Sequence, residues 1–179
     1  MRSNTITINS AGRDFESAVN ESKKVAAYQG LSGKDALQLE LLTEEMMSLV
    51  LSLTGETLVS FWIEAEGKKF DLHLSTKTVM DKEKRYLLIS SSSSRRNEAA
   101  RTFLGYLRDA FEEAMAAEVD HSENDLPLDL LQDLANHPIE DPEWDGYERS
   151  VLRKAADDVK ISIRGGVVDM TVSKRFQEE

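Results

Sequence analysis

Hydrophobic and polar residues follow two different periods along the chain, and the switches between them outline its elements. In 5–9, Ile6 and Ile8 share one side of a two-residue period, which predicts a short half-buried strand. From 14 to 28 the spacing opens to about 3.6 residues through Phe15, Ala18, Val19, Val25 and Ala26, predicting a helix that Gly30 ends. Ser32 with Asp35 three positions on resembles a capping box. Leu39, Leu42, Met46, Leu49, Val50 and Leu53 then form the apolar stripe of a second helix, closed by Thr54 and Gly55.

The two-residue period returns at 58–66, where Val59, Phe61, Ile63 and Ala65 share a face. It continues past Gly67 through Phe70, Leu72 and Leu74, so a β-hairpin is expected. The run at 86–89 is short and apolar enough for a buried strand, and Ser90 to Ser94 reads as a low-complexity polar turn. Helical spacing resumes over 97–118 through Ala100, Phe103, Leu104, Leu107, Phe111 and Met115. All three prolines fall between 119 and 145, marking an irregular or mobile segment whose leucines suffice for a small docked helix. A helix is expected at 147–157. Val159, Ile161 and Ile163, then Gly165-Gly166, then Val168, Met170 and Val172 predict a closing hairpin. The fold class expected from this order is α+β, a two-layer sandwich with a mixed, mostly antiparallel sheet covered on one face by helices.

Length and composition narrow the class. The 179 residues suit a single domain, and 40% apolar with 31% charged residues describes a chain that folds. No cysteine is present, which excludes disulfides, a thiolate nucleophile and sulfur-bound zinc, and agrees with a reducing cytoplasm. No apolar run reaches membrane-spanning length and MRSNTITINS lacks a leader's apolar stretch, so a cytoplasmic protein without membrane contact is expected. The net charge of −11 is unevenly spread: 109–146 holds thirteen carboxylates and no Lys or Arg, leaving the remainder at +2. Just before it, Lys82, Lys84, Arg85, Arg95, Arg96, Arg101 and Arg108 face only Glu83 and Glu98. The overall negative field disfavours nucleic acid, and the dipolar middle suggests internal salt contacts or a charged protein partner.

Two stretches carry a resemblance. GLSGKDALQLELLTEEMMSLV at 30–50 resembles the helix that opens the histidine-kinase-like (GHKL) ATPase fold, above all in bacterial anti-sigma-factor serine/threonine kinases. AADDVKISIRGGVVDMTVSKRF at 155–176 is similar to the strands that close it. The likeness covers about 5–78 and 146–176. It implies one domain over 1–179 with an enlarged acidic insertion at about 79–146, where the family places the lid that closes over ATP.

The resemblance also assigns roles. The Glu of the family's Glu-x-x-x-Asn falls on Glu45, implied as general base, and the Asn falls on Leu49. In the family that Asn coordinates Mg²⁺, which a leucine cannot do. The adenine-binding Asp-x-Gly falls on Thr76 and Thr78: threonine carries no charge, and its branched Cβ blocks the close approach glycine permits. Of the phosphate loop before the last helix only Gly146 remains, with Glu148 at a glycine position, where a carboxylate competes for the amides that would hold a phosphate. Glu45, Thr76, Thr78 and Gly146 are therefore vestigial candidates, and neither ATP nor Mg²⁺ is expected. The implied function is regulation by protein–protein contact, with a sigma factor or an anti-anti-sigma-like regulator as the kind of partner and a homodimer as the state. The alternative is an active ATP-dependent serine/threonine kinase using Glu45.

The remaining candidates carry less chemistry. His73, His121 and His137 are scattered and lack the spacing of a metal pair; His73 reads as an exposed structural histidine on the polar side of a strand. Asp141, Glu143 and Asp145 alternate but lack the EF-hand pattern, so a solvated acidic turn is expected. Ser90 to Ser94 beside Arg95 and Arg96 could serve as a phosphorylation target, but reads in preference as a flexible polar turn. The acidic insertion reads equally as a partner-binding element or as a segment folded back on Lys82, Lys84, Arg85, Arg95 and Arg96.

Overall fold

Five antiparallel strands in the order β1-β2-β3-β5-β4 form the sheet of the computed structural model, which describes residues 1–9, 15–54, 58–100, 110, 112 and 146–177. β1 (Ile6–Asn9) lies on β2 (Leu58–Glu66), and β2 on β3 (Lys69–Lys77). β5 (Val167–Arg175) lies between β3 and β4 (Asp158–Arg164). The sheet expected as mixed is thus wholly antiparallel among the described residues: β2–β3 and β4–β5 join through tight turns, β3 and β5 pair across the two hairpins, and β1 is joined to β2 through the two helices between them.

The two-residue period has its physical consequence here. Val59, Phe61, Ile63, Phe70, Leu72, Leu74, Val159, Ile161, Ile163, Val168, Met170 and Val172 are all buried on one face of the sheet. At about 2–3 kcal/mol for each large side chain removed from water, this layer and its helical cover are the main stabilising term. Gly165 and Gly166 turn β4 into β5 with φ of 56° and 75°, a pair of left-handed residues that suits the twist of the strands.

Helices cover the apolar face. α1 (Phe15–Tyr28) buries Ala18, Val19, Ser22, Val25 and Ala26. It ends as Gly30, at φ 62°, donates to Ala27 and Leu31 N–H reaches back to Ala26 C=O. α2 (Gly33–Thr54) starts with Asp35 N–H donating to Ser32 Oγ and sends Leu39, Leu42, Met46, Met47, Leu49 and Val50 into the core. The last helix, α4 (Gly146–Ala155), buries Leu152.

The strand expected at 86–89 is a helix, α3 (Lys82–Ser91). Asp81 caps it, accepting Lys84 N–H at 2.7 Å, and burial falls on Arg85, Leu88 and Ser91, a three-residue spacing that belongs to a helix. The serine run is correspondingly not a flexible turn. Ser90 and Ser91 finish α3 with hydroxyls donated to Leu87 C=O, Ser92 is its C-cap, and Ser93 bonds Val159. Residues 82–100, counted above with the insertion, pack on the body through Leu88 and Asn97. Of the helix expected at 97–118, Glu98–Ala100 is a single tighter 3-10 turn, since Ala100 N–H bonds Asn97 C=O. The rest of it, and the acidic stretch with His121, His137, Asp141, Glu143 and Asp145, lie outside the described residues apart from 110, 112 and 146.

Candidate functional site

The register gives the sheet two distinct ends. Val59 pairs Thr76, Lys77 pairs Val167 and Arg164 pairs Val167, so the start of β2, the end of β3 and the β4–β5 turn share one end. The Gly67 turn lies at the other. Lys68 Nζ donates to Gly30 C=O at 3.2 Å, which fixes the start of α2 at the Gly67 end, while Thr54 leads through three residues to Leu58 at the opposite one. At about 1.5 Å per residue, Glu45 and Leu49 stand about 18 and 24 Å along α2, towards the Thr76 end. Gly146 opens α4, whose other end meets α2 near its start, where Ala155 C=O accepts from Gln38 Nε2. The topology therefore brings Glu45, Leu49, Thr76 and Thr78 to one end of the molecule.

Their local chemistry differs from residue to residue. Leu49 is 5% exposed and belongs to the apolar core. Glu45, one hundred degrees or so round the helix from the buried Met46, is half-buried with its Oε2 screened from solvent. Thr76 is 4% exposed on the helix-facing side of β3, and its hydroxyl donates to Leu58 C=O at 3.0 Å. Thr78 N–H donates to Gly166 C=O at 2.8 Å, and a Cβ on Gly166 would meet Thr78 C=O at 2.9 Å. The chain after β3 is thus pinned to the β4–β5 turn. The same turn is held from a second side by the Glu112 carboxylate, whose two oxygens each accept Gly165 N–H at 3.2 Å. Arg85, on α3 beside α2, is 4% exposed, a buried cation among the charges noted at 82–108.

Compared with protein-family models and with curated proteins, the chain matches none.

Among the described residues no group of three or more His, Asp or Glu side chains is arranged to hold a metal, and no helix is long and apolar enough to cross a membrane. The other face of the sheet carries its own ordered chemistry. Trp62 and His73 pair across β2 and β3 and stack with ring centroids 5.0 Å apart and planes 9° from parallel. His73 Nδ1 lies 3.2 Å from Thr171 Oγ1 on β5. Its Nε2 is 3.8 Å from Glu64 Oε2, too far for a hydrogen bond. Burial holds the His73 imidazole below its ordinary value, Arg2 and Lys69 push the same way, and Glu64 and Asp71 oppose them. His73 is therefore half-buried and stacked, where the sequence reading had it exposed. On either side of it, Ser173 Oγ donates to Asp71 Oδ1 and Ser75 Oγ to Asp169 Oδ1, each at 2.6 Å, making a polar ladder between β3 and β5.

Proposed function

We propose that the chain is a regulatory module with the scaffold of a GHKL ATPase, similar to anti-sigma-factor serine/threonine kinases, and that it acts by binding a protein and not by binding nucleotide. The observation that carries this reading is Leu49, 5% exposed within the apolar core at the position where the resemblance calls for a magnesium-binding amide. Thr76 supports it, because a hydroxyl already donated to Leu58 C=O is a poor substitute for a carboxylate awaiting an adenine amino group. The residues at these positions do not fit Mg²⁺ or ATP. The partner class the resemblance implies is a sigma factor or an anti-anti-sigma-like regulator.

A thermal-shift and calorimetric titration with Mg·ATP and Mg·ADP at millimolar concentration tests the reading, since any site of useful affinity stabilises the fold by mass action. The expected result is no shift and no heat. The competing reading, an active kinase, draws on the half-buried Glu45 with its screened oxygen. It requires saturable stabilisation that Glu45→Ala retains while phosphoryl transfer to a serine substrate disappears.

A further inference from the structure

The outer face of the sheet holds one cluster that none of the foregoing uses. Arg2 bridges to Glu64 beside β2, with its guanidinium carbon 5.0 Å from the centre of the Trp62 ring and its Nε 3.9 Å from Glu64 Oε1. His73 stacks on the same indole, and its Nε2 approaches the second oxygen of the same carboxylate. One carboxylate thus stands between a permanent cation and an imidazole, with a shared aromatic ring joining them. Neither Trp62 Nε1 nor His73 Nε2 is solvated or hydrogen-bonded among the described residues, so a proton arriving on Nε2 has Glu64 as its nearest acceptor.

The segment that Arg2 belongs to is held on β2 at residues 1 and 3. Ser3 N–H donates to Ile63 C=O at 2.8 Å and Ile63 N–H to Ser3 Oγ at 3.0 Å, while Ala65 N–H donates to Met1 C=O at 2.9 Å and the Met1 amino group to Ala65 C=O. We propose that Arg2, Trp62, His73 and Glu64 form a proton-operated latch in which protonation of His73 draws Glu64 away from Arg2 and loosens residues 1–3 from β2. The proton comes from solvent and settles on Nε2, so no bond other than N–H forms. Charging His73 also sets two cations against one ring and one carboxylate, and the repulsion falls on Arg2, the partner on the less anchored segment.

The charged groups around His73 are Glu64 on β2, Arg2 beside it, Lys69 and Asp71 on β3, Asp169 on β5, and Lys160 and Asp158 on β4 beyond Thr171. Lys69 is tied to Asp71 at 2.7 Å and Lys160 to Asp158 at 3.4 Å, which leaves Glu64 as the carboxylate shared between Arg2 and His73. Of these side chains, His73 is the one whose charge changes as pH falls below its ordinary value.

Amide hydrogen exchange on the full chain, corrected for intrinsic rates and followed from about pH 7.5 to about pH 5, tests the latch. The Ala65 and Ser3 amides report the segment, and Leu72 in the middle of β3 reports global opening. The expected result at the acid end is exchange at Ala65 and Ser3 that accelerates severalfold more than at Leu72, with that excess absent in His73→Gln. In Arg2→Gln, exchange at the two amides is fast at every pH. An unchanged profile in the wild type, an identical acceleration in His73→Gln, or Leu72 accelerating in step with Ala65 would each overturn the proposal.

Discussion

Asn97 serves Ile163 as a neighbouring strand would. Its Oδ1 accepts Ile163 N–H at 2.8 Å and its Nδ2 donates to Ile163 C=O at 3.0 Å, so one amide side chain reproduces both bonds of a ladder pair. Four residues earlier on β4, Ser93 does the same for Val159 with its hydroxyl and its own N–H, each at 2.8 Å. The outer edge of the sheet is thereby closed by segment 93–97 and offers little to a foreign strand. Asn97 is 5% exposed, so Asn97→Ala leaves two backbone groups in a dry site. The expected loss is about 2 kcal/mol, against about 1 kcal/mol for Ser93→Ala, where the backbone bond remains. Urea unfolding of the two variants checks the difference.

The β4–β5 turn makes a second, steeper prediction. Gly166 combines φ of 75° with a place where an added Cβ would sit 2.9 Å from Thr78 C=O, whereas Gly67 has φ of 57° and open space around it. Gly67→Ala then costs only the left-handed backbone, about 1 kcal/mol, and Gly166→Ala adds a collision with the carbonyl of Thr78, a residue pinned by its own N–H to Gly166 C=O, for about 2 kcal/mol or more. Gly33, in the first turn of α2 with nothing nearby and an ordinary φ, is expected to accept alanine at no cost. Thermal melts of the three alanine variants rank them.

Acid sensitivity follows from two carboxylates and one imidazole. Burial pushes Asp157 up, but Arg175 N–H at 2.7 Å and Lys174 Nζ at 3.0 Å outweigh it and hold the carboxyl below its ordinary value. Burial likewise opposes the hydrogen bonds from Lys69 and Ser173 that hold Asp71 down. For both, the folded state binds its proton less readily than the unfolded chain, so their stabilisation is complete above the unfolded value of about 3.9 and lost as pH falls through the lower folded value. His73 acts in a higher window by the same sign. Its folded value lies below about 6.5, so stability declines as pH drops beneath the unfolded value. Chemical denaturation across pH is expected to lose its upper acid step in His73→Gln and to keep it in Asp157→Asn, whose effect lies below about pH 4.

How much of this was legible in the sequence depends on how local the cause is. The strand pair at 58–77 and the closing hairpin were readable because alternation over seven or more residues admits one geometry, and Gly165-Gly166 names its own turn. The residues 86–89 misled because four apolar side chains in a row fit a buried strand and one turn of helix equally; the deciding signals were Asp81 ahead of them and the 85, 88, 91 spacing. The Trp62–His73 stack and the Asn97 clamp depend on register and on partners 66 residues apart, which periodicity does not encode. At the candidate site, the identity of each residue could be read in advance, but that Leu49 is core and Thr76 is committed to Leu58 needed the packed structure.

Leu49 supplies the last prediction, and it separates an eroded binding site from one that merely awaits repair. If a site needs only its missing ligand, Leu49→Asn restores an amide oxygen at small cost. In this core the same change replaces a side chain 5% exposed among Leu42, Met46 and Val50 with a polar group that must find partners among apolar neighbours. Lost transfer energy and an unsolvated amide together are expected to cost about 3 kcal/mol. The variant should melt well below the wild type and should gain no protection from millimolar Mg·ADP. Leu49→Met, which keeps the volume and stays apolar, is expected to lose under about 1.5 kcal/mol. Side-by-side melts with and without Mg·ADP check both arms, and a nucleotide-dependent rise in the asparagine variant would contradict the assignment of this position to the core.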